Sequence, residues 1–424
     1  MPAVPPPPAP PRELDLVVFG ATGFTGRLVA EHLWRTRAEG APMRWALAGR
    51  SADRLRAVGD ALGAGAALPH HIVDAGDAVA LRALAARTRA VLSTVGPYSR
   101  HGEALALACA EAGTDYLDLC GEPLWMARMI PRLQPEAAAS GARIVFSCGF
   151  DSIPFDLGVV FLQDAAQRRF GAALASVHTR VRVMKGSFSG GTAASLLATL
   201  EDIAADPALA RTLADPFALT ADLPGFRGPP QPDPDRGAEC DEGDEGDDDG
   251  IWTAPFVMAS INTKNVHRTN ALRGHPWGRD FEYDERMAAG AGARGERRAR
   301  ALARQAAWQQ RLLQSAPARA LIRRFVLPQP GQGPDAAERE AGRYDIGLAG
   351  RSADGRRLAA TVRGDRDPGY GSTSKLISEA ARCLLQDVDR SMTPGGVWTP
   401  GAAMGLVLVQ RLQARAGLAF EIDG

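Results

Sequence analysis

Ten residues near the start of the chain, VVFGATGFTG at 17–26, limit its fold more than any other stretch. A β-branched run leads directly into Gly20, Gly23 and Gly26, and the helix-forming segment RLVAEHLWRTR follows at once. A strand that turns on glycines into a helix offers helix N-terminal amides to a pyrophosphate, and larger side chains would block that approach. Gly20, Ala21, Thr22, Gly23, Phe24, Thr25 and Gly26 are therefore expected to form the phosphate loop of a dinucleotide site. The plainer alternative is a tight turn with no ligand.

The surroundings favour the ligand. Short β-branched runs at 15–20, 44–49, 71–74, 90–96, 115–120 and 143–148 alternate with Ala/Leu/Arg-rich helical segments, the rhythm of a doubly wound parallel sheet. The GxxGxxG spacing is the form common in short-chain-reductase-like NADP enzymes. At the tip of the second strand, where an NAD enzyme carries an acid for the ribose hydroxyls, the sequence reads LAGRSADRL. Arg50, Ser51 and Arg54 stand there instead, and a guanidinium suits a 2′-phosphate, so the cofactor is read as NADP(H) rather than NAD(H). The competing reading has these arginines merely solvating a helix start. Asp74, at the tip of the third strand, is expected to reach the adenine or else to cap a helix. Thr94, Gly96 and Pro97, in TVGPYSRHG after the fourth strand, complete the cofactor set.

The fold class is α/β: a Rossmann doubly wound parallel sheet with a second, mixed α/β substrate domain. Residues 1–13 read as a Pro-rich disordered lead-in, 14–150 as the NADP-binding Rossmann domain and 151–371 as the substrate domain. An acidic mobile loop is expected at about 215–250, and 372–424 as helices packing back on the first domain. A long helical region is expected from Asp284 to Ala316. Lys+Arg at 49 balance Asp+Glu at 49, which gives no field for nucleic acid. The five cysteines, Cys109, Cys120, Cys148, Cys240 and Cys383, form no CxxC pair and fit reduced thiols in a cytoplasmic setting. Neither a signal peptide nor a membrane span is expected, and the acidic run at 240–250 lacks the spacing of a calcium loop, so no metal is expected.

Hydride transfer is cofactor chemistry, so the protein must orient the substrate and supply a proton. Tyr98, Asp118, Glu122 and Asp151 follow the fourth, fifth and sixth strands and are the catalytic candidates, with Tyr98 the simplest proton donor. Asp151 and its neighbour Ser152 have an equally good use as caps of the next helix, as has Glu122. Cys120 and His101 are read as structural, while Lys185 and Tyr370 are candidates to reach the cleft from the second domain.

With these pieces placed, the chain resembles the saccharopine-dehydrogenase-like oxidoreductases, and more closely their trans-acting enoyl reductase branch. The matching segments are GATGFTGRLVAEHL, AGRS, VGPYSRHGEALALACAEAGTDYLDLCGEP, GARIVFSCGFDSIPFDLG, GDRDPGYGSTSKLISEA and GGVWTP. The resemblance implies NADPH-dependent reduction of a carbon–carbon double bond in a lipid or polyketide chain, carried by a separate synthase or carrier protein. It leaves room for a homodimer and for peripheral membrane contact. Two alternatives stand beside it: an amino-acid or imine dehydrogenase, which would need convergent basic side chains, and an NADP-binding, lipid-associated protein without turnover.

Overall fold

The computed structural model describes residues 12–186, 189–223, 226, 228–233, 236–241, 250–325 and 332–423, the side chains of 310, 314 and 323–325 excepted. Most of the Pro-rich lead-in (1–11) and the acidic run 242–249 lie outside these residues.

Six strands, β1 (Leu14–Phe19), β2 (Trp45–Gly49), β3 (His70–Ile72), β4 (Thr88–Ser93), β5 (Asp115–Asp118) and β6 (Arg143–Val145), pair in parallel. All but β3 are almost wholly buried, and β1 and β2 accordingly read as largely apolar runs rather than alternating ones. The intervening helices are α1 (Phe24–Arg35), α2 (Ala52–Ala61), α3 (Ala78–Ala86), α4 (Tyr98–His101), α5 (Glu103–Ala112) and α6 (Pro123–Ser140). Strand order reverses between β1 and β4, and this switch point opens the crevice in which ligands of such sheets bind.

The chain then enters α7 (Ile153–Phe170), buried on nearly all sides between the second sheet and the helices α10, α15 and α16. β7 (Leu174–Lys185) alternates buried and exposed positions and begins the second sheet. Next come α8 (Gly190–Ala205), α9 (Leu209–Ala214), β8 (Glu239–Asp241), β9 (Ile251–Pro255), α10 (Ala259–Leu272), β10 (Glu282–Ala291) and α11 (Gly292–Gln314). The remaining elements are α12 (Ala316–Phe325), α13 (Ala336–Ala341), β11 (Arg343–Ser352), β12 (Arg357–Gly364), α14 (Thr373–Gln386), β13 (Gly396–Trp398), α15 (Pro400–Ala403), α16 (Gly405–Arg415) and β14 (Leu418–Ile422). The first sheet runs β13-β6-β5-β4-β1-β2-β3 and the second β14-β12-β11-β7-β10-β9-β8. Within the second, only β7 and β10 pair in parallel.

Three expectations need correction. Residues 284–291 are strand, not helix: 284–287 lie along β7 and 286–291 along β9, and α11 begins only at Gly292. The stretch 215–250 is not loop throughout, because Ala218–Thr220 form a buried turn and β8 pairs with β9. Residues 372–424 are not all helix either. α14 packs on α1 and β4, but β13 extends the first sheet and β14 the second.

Candidate functional site

The glycine loop is built as its sequence suggests. Gly20 has φ +87°, and a Cβ there would sit 2.6 Å from Val95 and 2.8 Å from Thr94 Oγ1. A Cβ on Gly26 would lie 2.2 Å from the Gly20 carbonyl oxygen, so α1 can pack on the loop only without one. Gly23 donates its N–H to Gly20 O at 2.9 Å and caps α1 with no side-chain acceptor, leaving the first-turn amides available to an anion. Thr94 Oγ1 bonds the carbonyl of Phe19 at 3.2 Å and lies 3.3 Å from that of Gly20, tying the end of β4 to the loop across the switch point. Arg50 is exposed at the tip of β2. Arg54 reaches back from α2 to within 3.3 Å of Thr22 O, and Ser51 caps α2. These groups fit a 2′-phosphorylated dinucleotide: an open cradle, free first-turn amides, and cations where an acid would otherwise hold the ribose. Asp74 closes a local turn onto Gly76 N at 2.8 Å, a structural use that competes with contact to adenine.

The four catalytic candidates separate sharply. Tyr98 borders the cleft, but its hydroxyl donates to Ser93 O at 3.2 Å and accepts from Leu119 N at 3.0 Å. Burial, reinforced by Asp118, Cys120 and Glu122, pushes its pKa well above the ordinary phenol value. A phenol so engaged bridges the loops that follow β4 and β5. Glu122 takes N–H bonds from Tyr98 (2.7 Å) and Ser99 (2.9 Å) and an O–H bond from Ser195 (2.7 Å), holding the start of α4. Asp118 lies beneath the cleft. Its Oδ1 receives the N–H groups of Cys120 (2.9 Å) and Ser147 (3.1 Å), and burial raises its pKa to about 7. Through that bond it steadies Ser147 at φ +62°, the left-handed region a serine rarely adopts.

Asp151 differs from all three. It lines the cleft yet is surrounded by protein, and this desolvation raises its carboxyl pKa to about 6 against one opposing bond, from Thr192 Oγ1 to Oδ2 at 3.1 Å. Ser152 beside it is held by Asn262 (3.0 Å) and Asn265 (3.2 Å). The Cys120 thiol, also on the cleft wall, accepts from Glu122 N at 3.4 Å, and burial pushes its pKa far up, so it carries no thiolate. His101 and Lys185 are exposed and line no part of the cleft. Tyr370 reaches the glycine loop from the other half of the molecule: its ring meets Phe24 edge-on at 4.7 Å, and its hydroxyl accepts Gly190 N at 2.8 Å.

The cleft is a cavity of about 570 Å³ joining the switch point (Thr25, Thr94, Gly96) to Asp151 and then to α8. Its α8 wall, including Thr192, Ser195, Leu196 and Leu200, and Gln305 and Gln309 of α11 were not singled out from sequence. The one available signal was the small polar run SGGTAAS directly after a strand. Among the described residues no lysine or arginine lines this cavity. Nor does any group of three His, Cys, Asp or Glu side chains converge as for a metal, and no helix is long and apolar enough to cross a membrane.

Comparison with known proteins agrees with this geometry. The sequence profile of the saccharopine dehydrogenase NADP binding domain matches residues 16–145. The chain is 42% identical to a Mycobacterium tuberculosis protein provisionally named a trans-acting enoyl reductase, over 97% of this chain and 98% of that one. It is 38% identical to the trans-acting enoyl reductase of Mycobacterium bovis, over 95% and 96% respectively. In fold it is similar to saccharopine dehydrogenase (L-Glu forming) from Saccharomyces cerevisiae, with TM-score 0.54 at 13% identity, covering 97% of this chain and 100% of that one.

Proposed function

The chain belongs to the saccharopine dehydrogenase-like family of NADP-binding oxidoreductases, in its trans-acting enoyl reductase branch, and from that premise we propose that it reduces the double bond of an enoyl thioester in a lipid or polyketide chain. The observation that carries this reading is the cleft wall, without a lysine or arginine among its described residues. An enzyme for charged amino acids needs cations converging on the substrate carboxylates, whereas Leu119, Leu196, Leu200 and Met258 suit an acyl chain.

When bound, NADPH supplies the hydride. The amides of the first turn of α1 would hold its pyrophosphate, and Arg50 and Arg54 its 2′-phosphate. Asp151 is the proton donor in this reading. As the substrate's β-carbon gains hydride, the π electrons shift to the α-carbon and take the Asp151 proton, and the carboxylate left behind is reprotonated from water. Tyr98, Asp118 and Glu122 fix the loops around that event.

Delivery by a separate protein is supported by α11. Gln305 and Gln309 border the cleft, while Arg297, Arg304 and Arg311 lie two helical turns apart on an exposed stripe, with Trp308 beside them 64% exposed. None of the three arginines pairs with a carboxylate among the described residues, which suits an anionic carrier surface. The test is NADPH oxidation with enoyl thioesters, parent against Asp151→Asn. Turnover that the variant loses supports the reading; turnover of amino or imino acids but not of enoyl thioesters would overturn it.

A further inference from the structure

The cleft does not end at α8. Leu200 of α8, Leu213 of α9 and Ser260 of α10 border it, and the same three residues border a second cavity of about 980 Å³. That cavity is walled largely by apolar side chains, among them Ile203, Ala210, Pro216 and Phe217. Lys264, a buried cation in its wall, directs its ammonium at the carbonyls of Leu213 (2.7 Å) and Ser260 (2.8 Å), so the charge is engaged by main chain and pins the end of α9 to the start of α10. The two cavities thus meet at Leu200, Leu213 and Ser260, in a wall whose backbone Lys264 holds in place.

We infer that Leu200 and Leu213 form a waist through which the unreactive end of the substrate's own aliphatic chain enters the second cavity, so that this pair sets the length of chain accepted. The inference rests on the enoyl reductase reading. In that reading the double bond lies beside Asp151 and the thioester faces the delivering protein, which leaves the far end of the chain to be housed elsewhere. Continuity through shared wall residues makes the second cavity that place. Each methylene buried there should tighten binding about fourfold, the equivalent of ~0.8 kcal/mol per buried CH₂.

Saturated acyl-pantetheine thioesters of increasing length, titrated by calorimetry into the NADP⁺-loaded protein, test this without turnover. The parent should show affinity rising with length well beyond what the first cavity holds. Leu213→Trp should level off at a shorter length, and Ile203→Trp, which narrows only the second cavity, at an intermediate one, with melting temperatures checked for both. A flat series in the parent, or Trp variants that track the parent to the longest chain, would overturn the waist. Length-dependent binding without reduction of any enoyl thioester would instead sink the reductase reading and leave the waist standing.

Discussion

Ser195 of α8 donates a 2.7 Å hydrogen bond to Oε1 of Glu122, the oxygen that also accepts the Tyr98 N–H at 2.7 Å. The bond carries the second half of the chain onto the ligand-binding edge of the first sheet. Arg100 of α4 adds a second tie to α8 through Asp202 at 2.8 Å.

Glu122→Gln should therefore act through position. An amide cannot accept three bonds as well as a carboxylate and turns an N–H toward donors, which should cost about 1–3 kcal/mol of stability. Thermal denaturation reads that cost. Ser195→Ala, which leaves the α4 bonds intact, should cost about 1 kcal/mol and chiefly raise KM. A Glu122→Gln protein as stable as the parent and with intact kcat would remove the positioning role.

Asp151 sets a pH dependence. With its pKa raised to about 6, the protonated donor predominates below that value and declines tenfold per pH unit above it. kcat should accordingly fall on the alkaline side in the parent. Asp151→Asn should lose about 10²–10⁴ in kcat and with it this limb. Steady-state rates across the range decide the matter, and an unchanged alkaline limb in the variant would assign the proton to another group.

Arg50 and Arg54 should discriminate between cofactors. Removing a charge-assisted contact to the 2′-phosphate costs about 1.5–3 kcal/mol, so Arg50→Ala should weaken NADPH about 10- to 100-fold and leave NADH nearly where it was. Calorimetric titration with both nucleotides measures the ratio. Equal weakening of the two would place Arg50 outside the phosphate site.

Glu379 of α14 is wholly buried and meets His32 of α1 at 2.8 Å, Arg411 of α16 at 2.7 Å and Arg382 at 3.4 Å. Burial alone would raise its pKa, but the His32 hydrogen bond and the neighbouring positive charges outweigh it and hold the carboxyl below its ordinary value. The stability this contributes is present above the unfolded carboxylate pKa and is lost as pH falls through the folded one. Glu379→Gln should cost about 3–5 kcal/mol near neutrality and flatten the acid side of the melting curve. Melting temperature against pH tests both statements together.

What could be read from sequence follows from where the chain keeps its polar groups. β1 and β2 were legible because parallel strands buried on both faces are largely apolar runs, and the alternation with helical segments located the other four. β10 was not, since EYDER places three charged residues in succession, as an exposed helix would. In the fold Asp284 meets His178 (2.6 Å) and Arg180 (3.0 Å), Glu285 meets Asn262 (2.8 Å) and Tyr283 (2.9 Å), and Arg286 bonds Thr253 (2.8 Å). All three are buried, and apart from Tyr283 their partners are remote in sequence. At the site, sequence identified the loops that converge but not which way a hydroxyl turns. Tyr98 read as the simplest proton donor, and only the fold shows its hydroxyl bonded to Ser93 and Leu119. The α8 wall escaped notice because serines, threonines and glycines carry no signature of their own.

β13 and β14 have a consequence for how the molecule comes into being. Each closes an edge of a different sheet, and they lie on either side of α15 and α16 near one end of the sequence. A ribosome that has synthesised everything through α14 holds a nascent chain with β6 and β12 both bare along one side. Neither half can then mature ahead of the other as an independent module, and a shortened chain ending before Gly396 should expose two strand edges to aggregation at once.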